Sequence, residues 1–525
     1  MDRAADVILA LRLKGVRIWS EDGRLRYKAS NGMITPADLN KLTELKTEIL
    51  AFIQQASPAS TESKLIQRGF TERVPLTFSQ KAWWNLLGLG KHPSKKSVFT
   101  AVRLQGSLNV PSLRGSFAEL VRRHQVLRTT IITVEGTHEQ CIHDEHNHAL
   151  LVVDLTDVAE GEREVLAERL TLELVVEPVD VAVGPLFGGR LIKLRDDDHI
   201  MVIAMDHLIS DAASMGILLR DLWTLYGQAQ QGLPFTLPRL PVQFADYAVW
   251  QQKSHPSWID KHGTYWADRL SGARHVRLFA DDEVTKGTGT IFASVPIRFG
   301  KALSAGLRDL SRRERTTLAT AVLCAYGASA LRWCGAMDIV VPFVTMGRTR
   351  PELEHVIGFF GCPLFLRLEL RENDSFLDLL GRVREEHTSA YEHHDLGEIW
   401  AQMPRPEFTC NLSVNWYPAD YRVHHSALTA FVDNSDVPGL GKQLRLQPFS
   451  VKNPLQTDFG IDLEWGGEGG LILTDSEDGI TGTIVYRNDR LAADSVSRFG
   501  RNLLLFAERL LRESHRRVRT CQLCE

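Results

Sequence analysis

The stretch whose residue types can do chemistry is Met205-Asp206-His207-Leu208-Ile209-Ser210-Asp211-Ala212-Ala213-Ser214. A histidine near a helix start can take a proton from an attacking amine or hydroxyl. An aspartate four residues later, among apolar neighbours, is expected to be buried, and a buried carboxylate needs a partner. The pair alone is a weak signal; its setting strengthens it. Ile200–Met205 is an apolar run suited to a buried strand. Gly189 to Leu194 reads as its hairpin partner, with Arg195–Asp198 as the polar turn. Met215, Leu218, Leu219, Leu222, Leu225 and Tyr226 then recur at helical spacing until Gly232 and Pro234. His207 therefore sits where a strand leaves the core and a helix begins. Unpaired N–H groups at a helix start can stabilise a negative oxygen.

At 525 residues the chain exceeds one ordinary domain, and its apolar (44%) and charged (24%) fractions are those of a globular protein. A formal charge of −4 gives no electrostatic reason to expect nucleic acid or an anionic membrane. Met1–Asp6 lacks the basic-then-apolar order of a signal peptide. Leu318–Leu331 is below spanning length and reads as a buried helix. Seven cysteines, scattered and odd in number, suit a reducing cytoplasm. Cys521-Gln522-Leu523-Cys524 has no second pair to complete a zinc site. His393, His394 and Asp395 lack further ligands at metal spacing, so no metal is expected.

Asp6–Lys14 reads as a short helix closed by Gly15. Val16–Trp19, the turn Ser20–Gly23 and Arg24–Lys28 read as a β-hairpin. Thr35 is the expected N-cap of a second helix, with Pro36 as its first residue and Asp38 as the reciprocal acid. Arg24, Arg26 and Lys28 alternate with Leu25 and Tyr27, so the cations share one face. Such a hairpin edge can add an extended acidic peptide as a further strand. This helix–hairpin–helix, built around GVRIWSEDGRLRYKA, resembles the β-hairpin (TubC-like) docking domain of assembly-line synthetases. The resemblance implies capture of a carrier protein's acidic C-terminal tail, with Arg17, Trp19, Arg24, Arg26 and Lys28 as docking residues.

From Val74 onward the chain resembles nonribosomal peptide synthetase condensation domains, motif by motif and in order. Pro75–Trp84 looks like the first motif, Arg122–Thr130 the second and Met205–Ser214 the active-site motif. Phe244–Trp250 is similar to the fourth, Val356–Gly361 to the fifth, Tyr391–Asp395 more loosely to the sixth, and Lys452–Leu455 to the seventh. The resemblance implies an α+β fold. Two chloramphenicol acetyltransferase-like lobes would meet in a V-shaped pseudo-dimer with a tunnel through the junction. The expected layout is a docking domain over 1–55, a linker over 56–73, an N-terminal lobe over 74–240 and a C-terminal lobe over 241–525.

The resemblance also implies roles. His207 takes the place of the second motif histidine and would deprotonate the acceptor or hold it in line. Asp211 is expected to be structural, paired with Arg128. The family's first histidine is Asp206 here, whose carboxylate either raises the His207 pKa or points away into the lobe. The family glycine is Ala212, strained if the position needs positive φ. Gly347 falls in the loop resembling the tunnel floor. Ser413, Asn415 and Trp416, on an alternating strand, are candidate tunnel residues. Asp206, Asp211 and Ser214 together also resemble the heterocyclisation branch, which normally lacks a histidine at position 207.

Because no adenylation or carrier domain follows the body, the expectation is a monomeric, cytoplasmic acyltransferase working in trans. It would bind no cofactor. An acyl, polyketide or peptidyl chain would be presented on carrier-protein phosphopantetheine and passed to an amine or hydroxyl, free or carrier-bound. The architecture is similar to the enacyloxin-type chain-release condensation enzyme of polyketide and antibiotic biosynthesis. A CoA-dependent acyltransferase of the wider His-x-x-x-Asp group is the alternative, as is a recruitment domain without catalysis.

Overall fold

A computed structural model of the protein describes residues 17–21, 24–28, 34–50, 65–89, 93–96, 98–143, 149–258, 262–279, 292–394, 412–417, 423–426, 429–432, 444–449, 469–476 and 479–521. The expected helix over 6–14, the segments 56–63 and 408–411, Asp395, the 452–455 motif and Cys524 lie outside these residues.

The N-terminal strands Arg17–Glu21 and Arg24–Lys28 pair antiparallel, Glu21 opposite Arg24 and Arg17 opposite Lys28. The following helix, Pro36–Glu44, starts on the capping box read from the sequence: the Asp38 N–H donates to the Thr35 hydroxyl, and the Thr35 N–H donates to the Asp38 carboxylate.

The first lobe is built on a five-stranded sheet. Its order is Leu444–Pro448, Val98–Gly106, Asp198–Met205, Phe187–Arg195 and Leu151–Asp154. The central strand, Asp198–Met205, is buried along its whole length, which is why it reads as a continuous apolar run rather than an alternating one. Its partner Phe187–Arg195 is the hairpin arm the sequence indicated. The helices Val110–Arg123 and Ala212–Gln230 pack on the same core.

The second lobe is built on a six-stranded mixed sheet. Its order is Phe292–Arg298, Thr481–Arg487, Gly469–Thr474, Leu412–Tyr417, Asp338–Thr345 and Cys362–Glu369. The helices Leu318–Cys334, Phe376–Glu392 and Ala493–Arg512 share its core.

The two cores do not divide at residue 240. Leu65 is buried in the first core, ahead of the expected start at 74, and the Arg68 N–H donates to Asp246 Oδ1. Val242, Phe244, Tyr247 and Trp250 belong to that core, as do Leu353, Val356, Ile357, Phe359 and Phe360. The strand Leu444–Pro448 crosses back to the edge of the first sheet, beside Val98–Gly106. Among the described residues, no helix is long and apolar enough to cross a membrane.

Candidate active site

The central strand ends at Met205, and the chain turns at once through a short 3-10 helix, His207–Ile209. Asp206 caps that turn: its Oδ1 accepts from the Leu208 N–H at 2.8 Å. The first motif supports the turn from below. Thr77 and Gln80 form the capping box of helix Phe78–Leu87, and the Gln80 Nε2 donates to the Leu208 carbonyl at 2.8 Å.

The His207 ring is 4% exposed. It lies 5.1 Å from the Trp83 ring and 4.4 Å, edge-on, from Phe359 of the fifth motif. Burial drives its pKa down to about 4, against the pull of its own backbone and of the Asp211 carboxylate. The imidazole is therefore neutral at pH 7. Its Nδ1 makes no hydrogen bond to another described residue.

Of the two alternatives for Asp206, the structure shows the second. Its carboxyl is fully buried and points away from His207, on the side of Ser94 and Lys96. Burial lifts its pKa to about 6, although the Ser94 hydroxyl, the Leu208 N–H and the Lys96 ammonium favour the charged form. Lys96 is itself buried, which lowers its pKa while Glu177 and Asp206 pull it back up.

Asp211 is the N-cap of helix Ala212–Gln230 and accepts from the Ser214 N–H at 2.8 Å. The expected ion pair with Arg128 is not formed. The guanidinium that reaches Asp211 is Arg348, through Nη1 to Oδ2 at 2.8 Å and Nη2 to Oδ1 at 3.0 Å. The Phe360 N–H supplies a further donor at 3.1 Å. Arg128 instead donates to the His143 carbonyl and covers the Phe70 ring. Arg348 arrives because strand Asp338–Thr345 ends just before it, so the second lobe delivers the cation at the junction. Burial alone would raise the Asp211 carboxyl; Arg348 and Ser214 more than reverse this and hold it below the usual carboxylate value.

The same turn is stitched to the fifth motif. The Ser214 hydroxyl accepts from the Gly358 N–H at 3.0 Å. Gly347 adopts φ 62°, and a Cβ there would sit 1.8 Å from the Phe360 carbonyl oxygen. Gly347 is thus a required glycine beside the site. Ala212 is the first helical residue and is not among the positive-φ residues, so replacing the family glycine strains nothing.

Of the expected tunnel residues, Ser413 and Asn415 share one face of strand Leu412–Tyr417, both buried. Asn415 lies opposite Val344, near the end of the strand that leads to Arg348. The Ser413 hydroxyl has no partner among the described residues. Trp416 is a correction. It alternates onto the other face with Leu412 and Val414 and packs on the second core.

In the N-terminal hairpin Arg24 and Arg26 are exposed, as is Tyr27 at 46%. For Arg17, Trp19 and Lys28 only the backbone register is described. His393 Nδ1 lies 2.9 Å from His262 Nδ1, and His394 Nε2 lies 3.1 Å from the Thr349 hydroxyl. Among the described residues no group of three or more His, Cys, Asp or Glu is placed to hold a metal ion.

Sequence reasoning noted Ser214 only for its likeness to the heterocyclisation branch, and missed Arg348, Trp83, Phe359 and Lys96 as site residues. Two of these four lie inside recognised motifs and a third follows Gly347 directly, so the signal was present; their direction was not.

Comparison with known proteins bears on this arrangement. The phosphinothricin tripeptide synthetase PhsC of Streptomyces viridochromogenes is 31% identical over 446 residues, 83% of this chain, and the match spans only 39% of that synthetase's length. The X-domain in its complex with OxyB from teicoplanin biosynthesis shares the fold, with a TM-score of 0.70 at 22% identity over 88% of this chain and 99% of that one. SgcC5 of Streptomyces globisporus, in complex with (R)-(−)-1-(2-naphthyl)-1,2-ethanediol and sucrose, shares it with a TM-score of 0.63 at 23% identity, over 84% of this chain and 100% of that one. Residues 5–55 match the TubC N-terminal docking domain. Residues 71–415 match the Condensation domain, and the chain belongs to that family, whose members are acyltransferases that form amide or ester bonds in peptide synthetases.

Proposed function

We propose that this protein is a condensation enzyme acting in trans. It moves an acyl, polyketide or peptidyl chain from the phosphopantetheine thioester of a carrier protein to an amine or hydroxyl. The observation that carries this reading is the placement of His207. The ring stands at the end of the central strand, on a turn fixed by Asp206 from within its lobe and by Arg348 from the other. The acceptor nitrogen or oxygen attacks the thioester carbonyl, the new C–N or C–O bond forms and the C–S bond breaks. The acceptor's proton leaves by way of His207 and ends on the pantetheine sulfur. A neutral imidazole suits either accepting that proton or holding the acceptor in line.

The carrier is addressed through the N-terminal hairpin. The exposed Arg24 and Arg26, on a two-stranded sheet, complement an acidic tail added as a third strand. A free alcohol or amine is the favoured acceptor, in line with the diol bound to SgcC5. Cys141, Cys324, Cys334 and Cys521 form no disulfide, which fits a cytoplasmic setting.

His207→Ala is expected to lower product formation at least 100-fold, read by intact mass of the acyl carrier. Offering the same acyl group on carrier protein and on CoA is expected to favour the carrier. Equal rates would favour the CoA-dependent alternative. Deleting residues 1–55 is expected to raise KM for the carrier and spare turnover of a small thioester mimic. The second reading is recruitment without catalysis; the observation on its side is that the structurally similar teicoplanin X-domain was solved in complex with OxyB. Acyl carrier left intact by the unsubstituted protein, with every candidate amine and alcohol offered, would favour recruitment over catalysis.

A further inference from the structure

Among the described residues no other side chain or carbonyl bonds the His207 Nδ1; the backbone hydrogen bond acting on the ring is with His207 itself, not the carboxylate or carbonyl of another residue that ordinarily orients an imidazole. The two nearby carboxylates are engaged elsewhere. Asp211 is taken up by Arg348, Ser214 and the Phe360 N–H, and Asp206 faces Lys96 on the far side of the turn. The groups that do touch the ring are aromatic. Trp83 lies 5.1 Å away and Phe359 4.4 Å away, and the two contact each other edge-on at 5.9 Å, closing a triangle. Both are buried, Trp83 at 3% and Phe359 at 1% exposed. Each is anchored by the hydrogen bonds that hold the turn itself. Helix Phe78–Leu87, which carries Trp83, is tied to Leu208 by Gln80, and Phe359 lies between Gly358 and Phe360, whose N–H groups bond Ser214 and Asp211.

We infer that Trp83 is a positioning residue for the reaction: its indole, with Phe359 as the opposite wall, fixes the plane of the His207 ring where no carboxylate or carbonyl of another described residue bonds Nδ1. The inference rests on His207 being the imidazole that serves the transfer. A second consequence follows from the same geometry. The indole excludes water from one face of the ring, so it contributes to the burial that keeps the imidazole neutral. Removing it readmits water and loosens the ring together. The charged groups nearest the ring are Asp211 with its Arg348 partner; Asp206 and Lys96 lie behind the turn.

The test uses the full-length protein with isotope-labelled histidine, and Trp83→Leu, Trp83→Phe and Phe359→Leu beside it. The His207 signal is assigned by its loss in His207→Ala and titrated by NMR. In the unsubstituted protein it is expected to titrate near pH 4. In Trp83→Leu it is expected to move upward by about one unit or more, toward the ordinary histidine value. Turnover at pH 7 is expected to fall by about tenfold to a hundredfold with KM for the acyl carrier within about twofold, because the ring is misoriented and not lost. Trp83→Phe keeps a ring and is expected to lie between; if the Leu variant does not fold, it decides the matter by an upward shift or none. A His207 titration unchanged in every variant that folds, with turnover following thermal stability alone, overturns the inference. The titration needs no turnover, so it stands even if His207→Ala proves active, an outcome that would sink the catalytic reading by itself.

Discussion

At the scale of single residues the site depends on which cation reaches Asp211. The Arg348 side chain is 9% exposed and that of Asp211 6%, so the pair is buried, bidentate and shared between lobes. Removing one partner of such a pair leaves an uncompensated buried charge, at a cost of about 3–5 kcal/mol. Arg348→Ala is therefore expected to lower the urea midpoint strongly and to abolish transfer, since Asp211 also caps the helix behind His207. Arg348→Lys keeps the charge but loses the planar fork, so it is expected to recover only part of either property. Arg128→Ala is the control. It loses a bond to the His143 carbonyl and a contact with Phe70, and is expected to leave the Asp211 environment intact. If Arg128→Ala proved the more damaging to transfer, the assignment to Arg348 would be wrong. The need for a guanidinium could be read from the sequence, because a buried aspartate demands one. Which arginine meets the need could not, because Arg348 lies 137 positions away and reaches Asp211 only once the lobes have docked.

At the scale of elements, local signals carried well. The Thr35–Asp38 capping box, the hairpin ending at Met205 and the helix begun by Asp211 are all written in neighbouring residues, and all form. Strand alternation placed Ser413 and Asn415 on one face, and the same period puts Trp416 on the other, against the core. Long-range placement was not legible in this way. Nothing within Leu444–Pro448 says that it pairs with Val98–Gly106 of the first sheet, since an edge strand takes whichever edge the fold presents. The connection between strand Asp338–Thr345 and Arg348 supports a sharper prediction. Gly347 has φ 62° and no room for a Cβ beside the Phe360 carbonyl, which is backbone and cannot swing aside. Gly347→Ala is expected to displace either Arg348 or the Phe359–Phe360 segment. The cost is expected at about 3 kcal/mol or more of stability, with loss of transfer. Thr77→Ala, which removes a cap and leaves the lobe contact alone, is expected to cost about 1 kcal/mol. Equal effects of the two in urea unfolding would deny Gly347 its place in the lobe junction.

At the scale of the whole molecule, three buried groups contribute in opposite directions to how stability responds to acid. His207 and His387 both have pKa values lowered by burial to about 4, from an ordinary value of 6.5. Each contributes stability that is fully present above pH 6.5 and lost as pH falls through 4, on the order of 3 kcal/mol apiece at 1.36 kcal/mol per unit. Asp206 runs the other way. Its pKa is raised from 3.8 to about 6, so its contribution is present below pH 3.8 and lost as pH rises through 6, again on the order of 3 kcal/mol. The carboxyl therefore offsets about half of what the two histidines lose between pH 6.5 and 4. It follows that Asp206→Asn should stabilise the protein above pH 6, where it removes a buried charge, while making its decline toward pH 4 steeper. The asparagine keeps an oxygen for the Leu208 N–H, so the turn under His207 is retained. His387→Gln should act oppositely and flatten the acid side, because His387 is the more separable of the two histidines: its Nδ1 lies 2.9 Å from the Thr320 hydroxyl in the second core, away from the motif turn. Urea midpoints measured from pH 4 to 8 on the two variants and the unsubstituted chain decide the matter. Parallel curves would mean that these groups are solvated in the folded protein, and the dry, neutral setting assigned to His207 would fall with them.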